Sequence, residues 1–137
     1  MKKLGLISFA VLAALFLAIS AYAAERTFTV TMTGKAETPK GDPNGRGTAK
    51  IKIEASKGEL CYTLSWSAIS KPVAAHIHKG KKGTAGPVVI PLFSAPKHSG
   101  CVKASKSLLA KIVKSPASYY VNVHTQQFPA GAIRAQL

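Results

Sequence analysis

A period-two alternation of apolar and polar residues is the feature that most restricts the fold of this chain. Within Glu59–Ser67 every second residue is apolar, and Tyr119–Thr125 repeats the same order. Alternate side chains of a β-strand point to opposite faces of the sheet, so each segment predicts a strand with one face in a core. Similar segments recur along the chain between short stretches rich in glycine, proline and lysine, which are typical of turns.

The alternation predicts seven or eight short strands. They are expected over residues 26–33, 48–55, 59–67, 72–78, 88–93, around 101–102, 119–125 and 132–137. Helical spacing of apolar residues occurs once, and it predicts a helix at about residues 105–115 that Ser105 caps and Pro116 ends. Because the connections are too short for parallel crossovers, we predict an all-β fold, an antiparallel, Greek-key-like β-sandwich with one short helix.

The first 23 residues predict a signal peptide. Two lysines follow Met1, an apolar run extends over residues 4–19, and Ala21 and Ala23 form an A-x-A exit. An uncleaved membrane anchor is the alternative reading of this segment. With cleavage after Ala23, residues 24–137 form one domain of ordinary size, without a membrane span, in the periplasm or outside the cell.

Positive charge dominates the chain and is unevenly distributed. The formal net charge is +14, and without Lys2 and Lys3 it is +12. No acidic residue follows Glu59, whereas ten basic residues do. Such a surface attracts anions. Nucleic acid is the usual partner of a basic cytoplasmic protein, but export argues against it. An anionic envelope lipid or glycan is therefore the expected partner, and a merely solubilising surface is the alternative.

Cys61 and Cys101 are the two cysteines of the chain. An even number of cysteines in an exported protein is typical of disulfide bonding, so we predict that these two are joined. The closed loop of about forty residues would stabilise the fold by roughly 3–4 kcal/mol. Neither cysteine has the spacing of a metal or redox motif.

Three of the four histidines lie in two predicted strands. His76 and His78 share one strand face, and His124 shares a face with Asn122 in another strand. Three neutral imidazoles without a carboxylate suit copper or zinc, with His98 as a candidate fourth ligand. The alternative is a network of hydrogen-bonded structural histidines without metal. Asn122 and Arg134 are expected to support the site, because a hairpin would place Arg134 near Asn122.

Catalysis is not predicted. The chain has no recognisable nucleophile motif, and the half of the sequence that holds the histidines has no carboxylate to orient a base or to act as an acid. We therefore expect no catalytic residue, and an enzyme of this sequence would have to depend on a metal.

Several motifs together resemble the CHRD (chordin) domain. They are Gly58-Glu59-Leu60-Cys61-Tyr62, Ala74-Ala75-His76-Ile77-His78-Lys79-Gly80, Gly86-Pro87-Val88-Val89, Tyr119-Tyr120-Val121-Asn122-Val123-His124-Thr125 and Phe128-Pro129-Ala130-Gly131-Ala132-Ile133-Arg134. The resemblance covers nearly all of residues 24–137. It implies a β-rich extracellular module, found alone in exported bacterial proteins and in tandem in chordin, and it implies no known activity.

These observations favour an exported binding module with a histidine-rich copper or zinc site and no turnover. A structural envelope or matrix module that adheres to anionic lipid or glycan through its basic surface is the alternative. A copper-dependent oxidoreductase is the second alternative. It rests on an analogy with copper-zinc superoxide dismutases, which also place a His-x-His strand before a glycine-bearing loop. The chain has no aspartate after Asp42, so the zinc half of such a site cannot be built in the same way.

Overall fold

A computed structural model describes residues 25–137, and the predicted signal peptide lies outside this range. Eight strands and one α-helix occur in the described part of the chain. The elements are β1 (Glu25–Thr33), β2 (Arg46–Glu54), β3 (Glu59–Ser67), β4 (Pro72–Lys79), β5 (Val88–Phe93), β6 (Ser99–Lys103), α1 (Lys106–Lys114), β7 (Tyr119–Thr125) and β8 (Ile133–Gln136). The predicted strands and helix are thereby confirmed, with small shifts at their ends.

All strand pairs are antiparallel, and the strands follow the order β5-β4-β7-β8-β1-β2-β3-β6 in one sheet. A single residue pair, Thr33 with Arg134, joins β1 to β8. The sheet therefore consists of two four-stranded halves. We call β5-β4-β7-β8 the covered half and β1-β2-β3-β6 the open half. The two end strands, β5 and β6, approach each other, so the sandwich is nearly a barrel.

Apolar side chains of both halves fill the interior. Phe28, Ile51 and Leu64 from the open half and Ile77 and Val121 from the covered half are all buried. They occupy the alternate positions that the sequence pattern assigns to the core. Burial of such side chains provides the main stabilisation of the fold, at about 1.5–3 kcal/mol for each fully buried one.

Helix α1 closes one end of the structure. The Ser105 hydroxyl accepts a hydrogen bond from the Leu108 amide at 3.1 Å, which confirms the predicted N-cap. Leu109 and Ile112 pack into the core, and the helix stops before Pro116. Within residues 25–137, no helix has the length and apolar character needed to cross a membrane.

A disulfide joins Cys61 to Cys101, as predicted. The two residues face each other on β3 and β6, so the bond ties the edge strand β6 to its neighbour. Disulfides form and persist in oxidising compartments, and the bond agrees with an exported protein.

Candidate metal centre

The outer face of the covered half carries the histidines. His76 lies opposite Asn122, and Asn122 lies opposite Arg134 on β8. His124 pairs with Ala74 and is thus a diagonal neighbour of His76. The strand register thus places the three histidines on one face, with Arg134 beside Asn122, as predicted.

This outer face is covered, although it points away from the core. Every residue of β7 is buried, those of both its faces included. Hydrogen bonds hold the loop of residues 80–87 over one part of this face, and a hydrogen bond holds the turn of residues 126–131 over another part. Gly86 allows a close approach of the first loop, since a Cβ atom there would overlap the carbonyl of Lys79. The polar face is therefore a buried layer, which we call the polar layer.

Nitrogen atoms of His76, His78 and His124 converge within this layer. One ring nitrogen from each lies within 4.8 Å of the other two. The shortest separation, 3.0 Å, is between His76 Nδ1 and His124 Nε2. Two nitrogens bound to one zinc ion at about 2.0–2.1 Å are about 3.3 Å apart in a tetrahedral site, which is close to the separation of the His76 and His124 nitrogens.

Backbone carbonyls set the tautomers of two of these rings. His78 Nδ1 is 2.8 Å from the Gly86 carbonyl, and His124 Nδ1 is 3.0 Å from the Pro129 carbonyl. A carbonyl oxygen can only accept, so each Nδ1 carries the hydrogen and each Nε2 presents its lone pair. Metal-binding histidines are commonly held in this way by a hydrogen bond from the second nitrogen.

Burial keeps two of the imidazoles neutral. Desolvation, with smaller contributions from His124 and His78, lowers the pKa of His76 to about 4. Desolvation also lowers the pKa of His124, against a smaller opposite effect of its hydrogen bond to Pro129. Neutral imidazole is the form that binds metal. His78 and His124 are almost completely buried, whereas His76 is half-buried and provides the side open to solvent.

Tyr120, Arg134 and Gln136 form a frame around His78 and its loop. The Tyr120 ring stacks on His78 with a centroid distance of 4.7 Å, and the Arg134 guanidinium lies 3.3 Å from the centre of the Tyr120 ring. Arg134 donates to the carbonyls of Lys81 and Thr84. Gln136 donates to the carbonyl of Gly80 at 2.7 Å. Arg134 thus holds the loop over the site. Tyr120 and Gln136 were not among the predicted site residues, although the alternation places both on this face.

A carboxyl group enters the polar layer, against the sequence-based expectation that none is near. Glu37, from the connection between β1 and β2, is buried with its carboxyl against Gly131. Gly131 has a φ of 133° and no room for a Cβ atom beside this carboxyl. Burial raises the pKa of Glu37 to about 7, against smaller lowering effects of Asn122 and Arg134. No local sequence signal marks this residue, because its position depends on a long-range contact.

The structure does not bring His98 to the cluster. Its ring stacks on Trp66 at a centroid distance of 4.0 Å, and its Nδ1 bonds the Leu64 carbonyl. The expectation of His98 as a fourth ligand is therefore wrong, because the loop before β6 lies against the open half. Glu59, Cys61 and Cys101 also lie close together. Their two sulfur atoms form the disulfide and offer no thiolate to a metal.

Comparisons with known proteins yield one match. The family model described as CHRD domain matches residues 28–137, which is nearly all of the described chain. No curated protein and no solved structure matches the chain. The match includes most of β1, the other seven strands, the helix, the disulfide and the polar layer. The chain belongs to the CHRD domain family.

Proposed function

We propose that this protein is an exported binding module that takes copper or zinc through His76, His78 and His124. One observation carries the proposal: one ring nitrogen of each of the three histidines lies within 4.8 Å of the other two, while backbone carbonyls hold Nδ1 of His78 and of His124. Three nitrogen donors without a thiolate or carboxylate match the preferences of copper and zinc, not those of calcium or magnesium.

A purely structural network explains this arrangement less completely. His76 can donate from Nδ1 to His124 Nε2, which satisfies that pair. Nε2 of His78 is buried and has no hydrogen-bond partner among residues 25–137. Buried polar atoms are nearly always satisfied, so an unpaired imidazole nitrogen beside two others supports an ion as its partner.

Calorimetric titration of the mature protein with Cu(II) and with Zn(II) tests the proposal. The double variant His76→Ala, His78→Ala removes two of three ligands and should weaken binding by at least about 100-fold. His98→Ala is the matched control, since it removes an imidazole outside the cluster, and it should bind as the wild type does. Binding no tighter than millimolar, or equal binding by the double variant, would refute the metal site.

Adhesion to an anionic lipid or glycan is the second candidate function. Lys106, Lys111 and Lys114 project from α1 and are exposed. The salt bridges of the described chain involve other lysines, Lys52, Lys57 and Lys103. Unpaired lysines on one helix face favour contact with an anionic surface. Adhesion to anionic vesicles should then fall steeply with salt and should not require the histidines; salt-independent or absent adhesion would count against it.

A further inference from the structure

Four buried side-chain atoms within residues 25–137 have no hydrogen-bond partner, and they belong to one layer. They are Glu37 Oε1, His78 Nε2 and both amide atoms of Asn122. Unsatisfied buried atoms are rare in native proteins and call for a water, an ion or another ligand. The metal of the proposed function accounts for His78. It leaves Glu37 and Asn122 unexplained.

Glu37 and Asn122 lie beside the histidine cluster. Asn122 is directly opposite His76 in the sheet. Glu37 is close enough to Asn122 for that amide to lower its pKa, yet no hydrogen bond of good geometry joins the two. The Glu37 carboxyl rests on Gly131, two residues after Pro129, whose carbonyl holds His124. The turn of residues 126–131 thus contacts both the Glu37 carboxyl and the His124 imidazole.

Asn122 and the Thr38 backbone lie close enough to the Glu37 carboxyl to lower its pKa, but neither Glu37 Oε1 nor the Asn122 amide has a hydrogen-bond partner of good geometry within residues 25–137. Arg134 is near Glu37, but its identified donors go to two loop carbonyls and to Gln136, and no salt bridge between the two is present in the described chain. Asn122 is almost fully buried and ties no two strands together through its side chain. Their free atoms comprise a carboxyl oxygen, an amide oxygen and an amide NH₂ group.

We propose that Glu37 and Asn122 form a subsite for a small exogenous oxygen ligand, water or hydroxide, next to the metal held by the three histidines. The inference rests on the proposed function. Three-nitrogen metal sites leave a coordination position for such a ligand. The Asn122 NH₂ group donates to the ligand oxygen. The Asn122 and Glu37 oxygens accept the two hydrogens of a water, and one of them accepts the single hydrogen of a hydroxide. A water hydrogen-bonded in this way satisfies atoms that the protein leaves unpaired.

Azide, a small anion that replaces metal-bound water, is a direct probe of this subsite. We would titrate the Cu(II)-loaded protein with azide and follow the visible absorption and the electron paramagnetic resonance spectrum. Asn122→Leu keeps the side-chain volume and removes the donor, so azide should bind at least about 10-fold more weakly. Copper affinity should change much less, because the three imidazoles remain.

Glu37→Gln is the second variant and removes the charge with little change in shape. At pH 8, above its raised pKa, the wild-type carboxylate repels an anion in the subsite, so azide should bind several-fold more tightly to Glu37→Gln. Glu59→Gln, in the open half, is the matched control and should behave as the wild type does.

The outcomes separate this inference from the proposed function. Absence of histidine-dependent binding of both Cu(II) and Zn(II) refutes the metal site and the subsite together, whereas histidine-dependent zinc binding without copper binding leaves the proposed function standing and refutes the subsite on copper. Copper binding with equal azide affinity in the wild type, Asn122→Leu and Glu37→Gln refutes the subsite alone. A copper spectrum that azide leaves unchanged in every protein also refutes the subsite alone. If Asn122→Leu fails to fold, the comparison of Glu37→Gln with Glu59→Gln decides the matter.

Discussion

The two halves of the sheet share one sequence pattern and differ in what lies on their outer faces. In the open half, the outward residues Thr29, Lys50 and Thr63 are exposed. In the covered half, the outward residues Asn122, His124 and Arg134 are buried beneath loops. Period-two alternation separates the core side from the other side in both halves. Only in the covered half are the polar side chains removed from solvent. Their polar atoms therefore require hydrogen-bond partners within the protein or in a ligand.

The difference in covering has energetic consequences. A polar group on the open half exchanges hydrogen bonds with water and contributes little to stability. A polar group in the polar layer must be paired within the protein or by a ligand, since an unpaired buried group costs about 1–3 kcal/mol. We therefore expect function to reside in the covered half and the open half to tolerate substitution.

The largest effect is expected from Arg134→Ala. This variant removes the hydrogen bonds that Arg134 donates to the carbonyls of Lys81 and Thr84, and it removes the cation from the Tyr120 ring. The Lys81 carbonyl keeps a hydrogen bond from the Thr84 amide, whereas the Thr84 carbonyl loses the donor that Arg134 supplied. The free energy of unfolding should fall by about 3–5 kcal/mol, and amide exchange in residues 80–87 should accelerate. Urea unfolding and hydrogen exchange measure the two effects.

Lys50→Ala is the control for Arg134→Ala, because Lys50 is a basic residue on the outer face of the open half. Its effect should stay within about 0.5 kcal/mol. Equal losses of stability for the two variants would contradict the contrast between the halves.

A smaller effect is expected when the disulfide is removed. Cys61→Ser with Cys101→Ser frees the edge strand β6 and releases a loop with a sequence separation of 40 residues. Stability should fall by about 3–4 kcal/mol because the unfolded chain gains entropy. Copper or zinc affinity should not change, since the bond lies in the open half. Urea unfolding and calorimetric titration provide the readouts, and a loss of metal binding would mean that the halves are coupled more closely than we infer.

A pH dependence of stability is expected from Glu37. Burial raises its pKa to about 7 in the folded protein, from an ordinary value of 4.5. Between these pH values the unfolded chain has released the proton while the folded chain retains it, so stability falls as pH rises. Relative to Glu37→Gln, metal-free wild type should lose up to about 1.4 kcal/mol per pH unit in this window. Unfolding curves of both proteins at several pH values measure the difference, and parallel profiles would show that Glu37 is not buried in this way.

Much of the fold follows from local patterns. The bounds of Glu59–Ser67 and Tyr119–Thr125 are those expected from alternation. The cap at Ser105 was predictable because a serine directly before a helical apolar pattern can accept a hydrogen bond from an amide of the first helical turn. Pro91 lies within β5 and has no amide hydrogen to donate to a neighbouring strand. The strand continues to Phe93 with irregular register against β4, as an edge strand can when it lacks one amide.

The candidate site was predictable only in part. Alternation placed His76 and His78 on one face, and the hairpin placed Arg134 beside Asn122. The absence of acidic residues after Glu59 implied that no carboxyl lies near this face, but the carboxyl of Glu37 does. His98 was misassigned because a loop residue has no periodicity to position it.

By itself, the sequence determined the strands, their core-facing sides, the helix and the cysteine pair, because periodicity and composition act over a few residues at a time. The tertiary structure decided which outer face would be covered. It also decided that Glu37, Gly131 and Asn122 would meet and which nitrogens of His78 and His124 would be held by carbonyls. Alternation shows that a side chain points away from the core, but it cannot show whether a loop from elsewhere in the chain covers that side chain. That covering turns an ordinary polar face into a buried layer that requires a partner.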